Sequence, residues 1–536
     1  MFQQPSTFQV YNASAGSGKT FTLVKEYLKV LLTSDDIFTF QKILAITFTN
    51  KAAGEMKERV LENLEDFSSG KNNDLFNLIL QETKLDSALI HEKSQRILEA
   101  ILQNYSAFSI TTIDSFTHKI IRSFAFDLGL TLNFEVEMDA ISLLNEAVSV
   151  LISKIGTDEK LTKMLIDYSL DKTNNDKSWD ITNDLNEFAK ILLNEDDSKQ
   201  FKNLAHKTID DLNTLKNKLF THQKELVKEL KTVGKTILLL LESNNLSQKD
   251  FYRGVVPKFF NDLHEKGASL DILKRGATIE KAIEANQFYT KATSETIAST
   301  IDNIIPNIIE EYQKAKQVYK DFLFNKLALQ SIIPLAVLNN INNELEQLKN
   351  DNNIRLNVEF NQLISKKIKD QPAPFIYERI GQRFMHYFID EMQDTSSLQW
   401  QNLIPLIDNA LAQEKSSLLL VGDGKQAIYR WRGGKAEQFI NLGNRSKNQK
   451  YFQIQKEVKQ LNTNFRSYSE IVNFTNTFFT KNASFLANKN YQNLFLEGNK
   501  QKENTKKGGY VSIDFLETKE QKAEDDLKYA TAVLQK

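Results

Sequence analysis

Residues Ala13–Thr20 have the types and the spacing typical of a loop that binds phosphate groups. The segment reads ASAGSGKT, with two glycines ahead of a lysine and a threonine. Glycine lets backbone N–H groups approach an anion without a side chain in the way. The Lys19 ammonium can neutralise the β- and γ-phosphates of a nucleotide, and the Thr20 hydroxyl can bind Mg²⁺. The predicted phosphate loop comprises Ala13, Ser14, Ala15, Gly16, Ser17, Gly18, Lys19 and Thr20.

The flanking residues predict the elements that hold this loop. Upstream, the segment TFQVY alternates polar and apolar residues as a strand does. Downstream, Leu23, Tyr27, Val30 and Leu31 share one face of a predicted helix. The pattern departs at Ala13, where such loops usually have glycine. An ordinary turn between a strand and a helix is the alternative interpretation.

Two acids supply groups that a bound magnesium nucleotide requires. Phe384–Ile389 is an apolar run that predicts a buried strand, and Asp390 and Glu391 follow at its carboxyl end. Ligands of open α/β sheets bind at that edge. Asp390 is the predicted Mg²⁺ ligand and Glu391 the predicted base that activates water. Alternatively, the acids form a charged turn before a helix that Thr395 or Ser396 caps.

Two more segments predict contacts with the γ-phosphate and the base. A third apolar run, Ser417–Val421, predicts a strand, and Gln426 lies in the loop after it, where its amide can hydrogen-bond the γ-phosphate. Arg466 precedes a predicted helix and can act as a charge clamp on the same group. Phe465, beside it, can stack on adenine. Arg466 could instead be a surface or salt-bridged arginine.

The segment YRWRGG predicts contacts with nucleic acid. Tyr429, Trp431 and Arg432 present rings and a cation together. Aromatic faces stack on bases whatever their identity, and arginine pairs with phosphates. Burial of Trp431 in the core is the alternative.

Two further strand–loop–helix patterns begin with the predicted strands Ile43–Phe48 and Phe108–Ile113. Their loops are expected on the same sheet edge as the phosphate loop, and they offer rings, hydroxyls and amides suited to a sugar–phosphate backbone. Asn50 or Asp114 could also cap the helices that follow. The DNA contacts predicted in these loops are Phe48, Thr49, Asn50, Ser115 and Phe116.

Composition limits the class of protein. The 536 residues exceed one compact core, since single cores stop growing near about 250–300 residues. The chain has no cysteine, which excludes disulfides and thiolate metal sites and favours a reducing compartment. The longest aliphatic run, Ile237–Leu241, is far shorter than the roughly 20 residues of a membrane span. We therefore expect a cytoplasmic protein with no membrane segment, whose nucleic-acid site is local because the net charge is only −1.

The order of these segments resembles that of superfamily 1 helicases of the UvrD/Rep type. The segments are ASAGSGKT, ITFTNKAAGEM, TTIDSF, FIDEMQDTS, LLLVGDGKQAIYRWRGG and LNTNFRS. Within this superfamily, the chain is most similar to the helicase–nuclease branch that contains RecB and AddA. Three segments carry that similarity, namely ASAGSGKT, the DSF element and the YRWRGG ending. The resemblance implies ATP and Mg²⁺ as cofactors and movement from 3′ to 5′ on single-stranded DNA. It also implies unwinding of duplex DNA from its ends, together with a partner subunit, in the repair of double-strand breaks by recombination.

The resemblance also implies residue roles. The implied catalytic residues are Lys19, Glu391, Gln426 and Arg466. Phe48 and Trp431 are expected to stack on bases of the tracking strand, and Phe465 on the adenine. In this family a glutamine upstream of the phosphate loop contacts adenine, and Gln3, Gln4 and Gln9 are all candidates for that residue.

The implied fold class is α/β. Residues 1–125 and 376–455 are expected to form one RecA-like domain, interrupted by an all-α insertion at 126–375. The two prolines of Gln371–Phe375 are expected to mark the return to the sheet. Residues 456–536 are expected to begin a second RecA-like domain, with a strand in GGYVSIDFLE.

The last two family motifs and a nuclease domain have no counterpart in the sequence, which predicts an N-terminal portion of a longer chain. Such a portion could be catalytically silent by itself. Two alternatives stay open: a stand-alone repair helicase without a nuclease, and a DNA-binding scaffold that binds ATP without turnover.

Overall fold

The computed structural model divides into two compact units. The sheet unit comprises Met1–Val136 and Arg355–Lys536, and the helical unit comprises Glu137–Ile354. The residues that the structure describes are 7–131, 133–173, 178–204, 207–290, 292–369, 384–444, 452, 454–498, 500–513, 515 and 529.

Within these ranges, a six-stranded parallel sheet forms the centre of the sheet unit. Its strands are β1 (Phe8–Ala13), β2 (Ile43–Thr47), β3 (Ile110–Thr112), β6 (His386–Ile389), β7 (Ser417–Gly422) and β8 (Lys456–Leu461), while β4 (Glu135–Glu137) and β5 (Ile354–Leu356) form a separate two-stranded sheet. The strand order of the large sheet is β3-β2-β6-β7-β1-β8, and every pairing is parallel. The carboxyl ends of its strands therefore lie along one edge, where ligands of such sheets bind.

Apolar side chains on both faces explain why these segments form a buried sheet. Val10 and Tyr387 lie in the apolar cluster on one face, whereas Tyr11 and Phe388 lie in the cluster on the other. Successive side chains of a strand point to opposite faces, so helices must cover both. The Phe388 ring, for example, has its centroid 5.5 Å from that of Tyr27 in the helix after the phosphate loop.

Five of the predicted strands, β1, β2, β3, β6 and β7, are confirmed, with shifts at their ends. β2 ends one residue earlier than predicted. β3 is limited to Ile110–Thr112 because the next helix begins at Ile113. The Thr112 hydroxyl accepts a hydrogen bond from the Ser115 N–H at 3.2 Å and so caps that helix.

Helices flank the sheet. The helix after the phosphate loop buries Leu23, Tyr27 and Leu31, as its periodicity predicts. The helix after the two acids begins with a capping box of Ser396 and Gln399, one of the two caps expected. The described α-helices of the sheet unit are Lys19–Thr33, Asn50–Ser68, Asp74–Thr83, Ser87–Gln103, Ile113–Ser123, Phe360–Lys369, Ser397–Leu411, Ala436–Leu442, Ser469–Asn482 and Lys489–Gly498.

The described residues of the helical unit form mainly helices. Ile209–Ser243 and Glu295–Asp351 pack on each other, with Leu230 and Ile308 in their common core. The α-helices of this unit are Ala140–Ser153, Glu159–Thr173, Thr182–Ala189, Glu195–Leu204, Ile209–Ser243, Val255–Lys266, Ile272–Arg275, Ala277–Glu284 and Glu295–Asp351.

By length and composition alone, one described helix could cross a membrane, namely Glu295–Asp351. This is weak evidence, because a core helix passes the same test. Ile308 and Tyr312 of this helix are buried in the core of the helical unit.

Two predictions about the path of the chain have different outcomes. The predicted return to the sheet at 371–375 lies outside the described residues. The strand predicted in GGYVSIDFLE is not formed over its described residues 508–513. The reason is local, because Gly508 and Gly509 both have φ +104°. The Gly508 carbonyl instead accepts a hydrogen bond from the Glu470 N–H at 3.0 Å, at the start of a helix.

Candidate nucleotide site and nucleic-acid interface

The phosphate loop turns from β1 into its helix through two left-handed glycines. Gly16 has φ +76° and Gly18 has φ +84°, which glycine adopts without steric cost. A Cβ atom on Gly16 would lie 2.7 Å from Asn464 Oδ1 and 2.9 Å from Arg466 Cβ. Any other residue at Gly16 would therefore push away the segment that carries Arg466.

The loop also holds a buried hydroxyl that lacks a partner. Among the described residues, Ser17 Oγ has no hydrogen-bond partner. Leaving such a group unpaired costs about 1–3 kcal/mol. A phosphate oxygen in the loop could accept its hydrogen, so this orphan group and the glycine cradle both fit an anionic ligand.

The phosphate-loop lysine meets the predicted base directly. Lys19 Nζ lies 2.7 Å from Glu391 Oε1, although the two residues are 372 positions apart in the chain. Lys19 Nζ also donates to Gln426 Oε1 at 3.5 Å. Three of the predicted catalytic side chains therefore converge at the carboxyl edge of the sheet.

Two residues to which the sequence analysis gave no role close this contact into a hydrogen-bonded ring. Gln393 Nε2 donates to Glu391 Oε2 at 2.6 Å, and the Asp423 N–H donates to Gln393 Oε1 at 2.9 Å. Asp423 Oδ2 then accepts from Gln426 Nε2 at 2.7 Å. The signal in the sequence is their position, since each follows closely after a buried strand. We call Lys19, Glu391, Gln393, Asp423 and Gln426 the catalytic ring, after the role that the sequence predicts for Lys19, Glu391 and Gln426.

The two acids differ in their environments. Burial and the neighbouring charge of Glu391 raise the pKa of Asp390 above its ordinary value, while Lys19 acts in the opposite direction. A cation bound at Asp390 would favour its charged form. Glu391 has φ +50° and ψ +42°, a left-handed conformation that costs a non-glycine residue on the order of 1–3 kcal/mol. The Glu391 N–H donates to Asp390 Oδ1 at 2.9 Å, which helps to hold this conformation.

The donor set suits a magnesium ion that arrives with a nucleotide. Within the described ranges, no group of three or more His, Asp or Glu side chains converges as a metal site. Mg²⁺ commonly takes one or two protein oxygens and completes its shell with phosphate oxygens and water. The Asp390 carboxylate and the Thr20 hydroxyl are oxygen donors of this kind.

Phe465 and Arg466 reach the phosphate loop from the segment after β8. The Phe465 N–H donates to the Gly16 carbonyl at 2.8 Å, and the Phe465 ring is 61% exposed. The Arg466 N–H is held by Asn464 Oδ1 at 2.9 Å. The structure thus brings both predicted residues beside the loop.

Phe21 is a second exposed ring at this place that the sequence analysis missed. A Cβ atom built on Gly18 would lie 3.9 Å from Phe21 Cβ and 3.9 Å from Phe465 Cδ2. Both phenylalanine side chains are exposed. The available signal was an apolar residue immediately after Thr20, off the buried face of the helix.

Of the three glutamines considered as contacts to adenine, only Gln9 lies within the residues that the structure describes. It is buried in β1, where its Nε2 donates to Glu457 Oε2 at 3.3 Å and its Oε1 accepts from the Tyr11 hydroxyl at 3.4 Å. Gln3 and Gln4 lie outside the described residues. The Gln9 amide is therefore engaged within the sheet.

The predicted nucleic-acid residues form an aromatic cluster. The Phe48 and Tyr429 ring centroids are 4.4 Å apart, and those of Tyr429 and Trp431 are 6.3 Å apart. The Arg432 guanidinium lies 5.7 Å, 5.9 Å and 5.8 Å from the centroids of the Phe48, Tyr429 and Trp431 rings. Trp431 is 77% exposed, which contradicts its burial in the core. Rings and a cation on one surface are suited to single-stranded nucleic acid.

An acid from a third loop anchors the cation of this cluster. Asp114 Oδ2 lies 3.9 Å from Arg432 Nη2, and Asp114 Oδ1 accepts from Gln399 Nε2 at 3.1 Å. Burial raises the pKa of Asp114, while the Arg432 charge and the Gln399 hydrogen bond lower it. Asp114 therefore takes part in positioning Arg432.

The helix caps beside the cluster are not the residues expected. Thr49 accepts from the Ala52 N–H at 3.1 Å and caps the helix that begins at Asn50. Thr112, not Asp114, caps the next one. The expectation that Asn50 or Asp114 caps these helices is wrong, because both lie inside the first turn.

The predicted DNA contacts of these loops differ in exposure. Thr49, Asn50 and Ser115 are exposed. Phe116 is only 6% exposed, and its ring packs in the core with its centroid 6.3 Å from that of Phe384. The prediction that Phe116 contacts DNA is wrong, since its position in an amphipathic helix turns it toward the sheet.

The exposed indole gives the first testable prediction. Trp431→Ala should weaken binding of single-stranded DNA by about 1–3 kcal/mol, because it removes a stacking platform. Fluorescence anisotropy with a labelled oligo-dT measures this loss. The control is Trp179→Ala, which removes another exposed indole. Equal affinities of the two variants would contradict the assignment of Trp431.

Comparison with protein families gives a match over most of the chain. The family model of the UvrD/REP helicase N-terminal domain matches residues 3–447. The match spans the phosphate loop, both acids, the catalytic ring and the aromatic cluster.

Individual relatives agree with this match. The A subunit of the ATP-dependent helicase/nuclease of Bacillus cytotoxicus is 26% identical over 513 residues, which cover 87% of this chain and 37% of that protein. The RecB component of the RecBCD enzyme of Buchnera aphidicola is 25% identical over 510 residues, with 88% and 38% covered. The corresponding ATP-dependent helicase/nuclease protein of Listeria monocytogenes is 25% identical over 499 residues, with 87% and 37% covered. The chain thus spans little more than a third of the length of these relatives.

Proposed function

Because the chain belongs to the UvrD/REP helicase N-terminal domain family, we propose that it binds and hydrolyses ATP to drive a DNA helicase. Hydrolysis would loosen and restore the contact between the phosphate loop and the segment that carries Phe465 and Arg466, and so move the protein along one DNA strand. The names of the relatives, ATP-dependent helicase/nuclease and RecB, support a role in the repair of double-strand breaks by recombination.

One observation carries the enzymatic part of the proposal. Lys19 of the phosphate loop and Glu391 after β6 are in direct contact at 2.7 Å, with the Gln426 side chain on the same ammonium. A module that only bound nucleotide would need the lysine but not a base. The presence of both at one place supports hydrolysis.

In the proposed mechanism, each side chain of the site has one task. Lys19 would leave Glu391 and bind the β- and γ-phosphates, which frees the Glu391 carboxylate to accept a proton from the attacking water. Gln426 would hydrogen-bond the γ-phosphate, and Arg466 would stabilise the charge that develops on it. Thr20 and Asp390 would hold Mg²⁺, which neutralises phosphate charge when it is bound.

The adenine of ATP and the DNA would bind at separate places. Phe465 would stack on the adenine, and the exposed ring of Phe21 lies near it. Single-stranded DNA would bind across the aromatic cluster, with Arg432 on a phosphate. The exposed polar residues Thr49, Asn50 and Ser115 would contact the sugar–phosphate backbone.

The finer architecture is also a proposal. Residues 1–125 and 376–455 would form most of a RecA-like domain, and β8 (Lys456–Leu461) adds a sixth strand to its sheet beyond the predicted boundary. The insertion predicted at 126–375 would correspond to the mainly helical unit Glu137–Ile354. A second RecA-like domain, predicted at 456–536, would then begin after β8 and supply Phe465 and Arg466. The family resemblance suggests movement from 3′ to 5′, a cytoplasmic location without membrane attachment, and a partner subunit in a helicase–nuclease.

The proposal is tested by ATP hydrolysis with and without DNA. We expect single-stranded oligo-dT to stimulate phosphate release, whereas a blunt duplex of equal length stimulates it less. The rate of phosphate release is measured for this chain and for a full-length relative under the same conditions, and the two rates are compared. Turnover in the relative and none in this chain, although both bind ATP, would favour the scaffold interpretation for this chain.

A further inference from the structure

The helix Lys489–Gly498 contacts both functional surfaces of the sheet unit. Its carboxyl end reaches the catalytic ring, and its amino-terminal part reaches the loop that carries the aromatic cluster. We call it the bridging helix. Neither contact has a task in the mechanism proposed for ATP hydrolysis or in the binding of DNA.

At the carboxyl end, the contact is made by Lys425. Its Nζ lies 2.8 Å from Asp423 Oδ1 and donates to Ser14 Oγ at 3.2 Å and to the Gly498 carbonyl at 3.0 Å. An ammonium has three N–H groups, so all of them are used. The Lys425 side chain is 12% exposed and that of Asp423 is 4% exposed, which strengthens these contacts. A cation is also favoured at the carboxyl end of a helix.

This contact leads directly to the catalytic ring. The second oxygen of Asp423 accepts from Gln426, which in turn contacts Lys19. Lys425 also touches Ser14 of the phosphate loop. A nucleotide that draws Lys19 and Gln426 toward its phosphates would disturb the hydrogen bond from Gln426 to Asp423, whose other carboxylate oxygen contacts Lys425.

At the other end, the contact is made by Tyr491. Its hydroxyl donates to Glu437 Oε1 at 2.9 Å, and Arg430 Nη1 donates to the same oxygen at 2.8 Å. Arg430 Nη1 also lies 3.5 Å from the Tyr491 hydroxyl. Arg430 stands between Tyr429 and Trp431 in the chain, so this triad, in which the Arg430 side chain is 67% exposed, links the bridging helix to the segment that carries the two rings.

We propose that the bridging helix couples nucleotide binding to single-strand binding, with Lys425 and Tyr491 as positioning residues at its two ends. The inference rests on the proposed function of the two sites. Gly498 and Tyr491 are seven residues apart in one helix, roughly 10 Å along its axis. A rigid element of that length transmits a displacement of one end to the other. The coupling is reciprocal, so each ligand changes the affinity for the other by the same factor.

The test measures that factor without requiring turnover. The Kd of labelled oligo-dT is determined by anisotropy with and without a non-hydrolysable ATP analogue and Mg²⁺. We expect a coupling factor of about 5–150 in the unsubstituted protein, the usual range for linked sites. Tyr491→Phe removes one hydroxyl and should reduce this factor at least about threefold, while each ligand's separate Kd changes by less than about twofold. Tyr510→Phe, at an exposed ring, is the matched control.

A second variant approaches the other end. Lys425→Met should abolish the coupling, whereas Lys425→Arg should restore part of it, and thermal unfolding shows whether each variant is folded. If Lys425→Met is misfolded, the coupling factor of Tyr491→Phe decides the test.

The outcomes separate this inference from the proposed function. An unsubstituted protein that fails to bind either ligand contradicts the proposed function. An unsubstituted protein that binds both without coupling overturns the inference, as does an unchanged coupling factor in Tyr491→Phe. Equal weakening of both separate affinities with an intact factor also overturns it, because the helix would then be structural support only.

Discussion

Lys19→Ala is expected to lower ATP turnover by about 10²–10³-fold, the usual cost of removing a donor that stabilises transition-state charge. Lys19 Nζ faces Glu391 at 2.7 Å, so it lies between the phosphate loop and the acids. The aromatic cluster is built from other side chains, and the affinity for single-stranded DNA should stay within about twofold. Phosphate release measures the turnover, and anisotropy measures the DNA affinity.

The matched control is Lys29→Ala in the same helix. Lys29 pairs with Glu26 and Glu82 at 3.1 Å and 2.6 Å and takes no part in the catalytic ring. Its loss should leave turnover within about twofold. If Lys19→Ala hydrolysed ATP at the unsubstituted rate, Ala13–Thr20 would not be the phosphate site.

Glu391→Gln is expected to lower turnover by about 10²–10⁴-fold, the contribution typical of a general base. Glutamine keeps the size of the side chain and an oxygen that can accept from Lys19, but it cannot take a proton from water. ATP affinity should be retained or increased, because the substitution removes the negative charge that competes with the phosphates for Lys19. Single-turnover hydrolysis and titration with a fluorescent ATP analogue measure the two quantities.

Glu62→Gln serves as the control, because Glu62 is an exposed acid in the helix Asn50–Ser68. It should leave both turnover and ATP affinity unchanged. Hydrolysis by Glu391→Gln at the unsubstituted rate would remove Glu391 from its assigned role. Such a result would also weaken the argument against a scaffold that binds ATP without turnover.

Local patterns were sufficient for the elements that carry the site. An apolar run bounded by polar residues predicts a buried strand, so β6 and β7 were placed to within two residues. The phosphate loop follows from backbone requirements, because only glycine takes φ near +80° easily at Gly16 and Gly18. Helix caps were less predictable: neighbouring polar residues compete for the same N–H groups, and Thr49 took the place expected for Asn50.

Burial was harder to predict than secondary structure. Phe116 and Trp431 are both aromatic and both lie beside polar residues, yet one is 6% exposed and the other 77%. The difference depends on what packs against each ring, and that is set by strands distant in the chain. The missed roles of Gln393, Asp423 and Lys425 have the same origin in part, since each has a distant partner beside a near one: Gln393 accepts from the Asp423 N–H, 30 positions away, and Lys425 donates to Ser14, 411 positions away.

The sequence by itself determined which residues could do the chemistry and the type of element on which each one lies. Those properties depend on side-chain type and on backbone preferences over a few residues. The sequence also predicted that these strands end at one ligand-binding edge, but only the tertiary structure decided the side-chain distances there, such as the 2.7 Å between Lys19 and Glu391 that closes the ring. Hydrogen bonds and ion pairs act over about 3 Å, and the chain order alone does not specify distances between segments hundreds of residues apart.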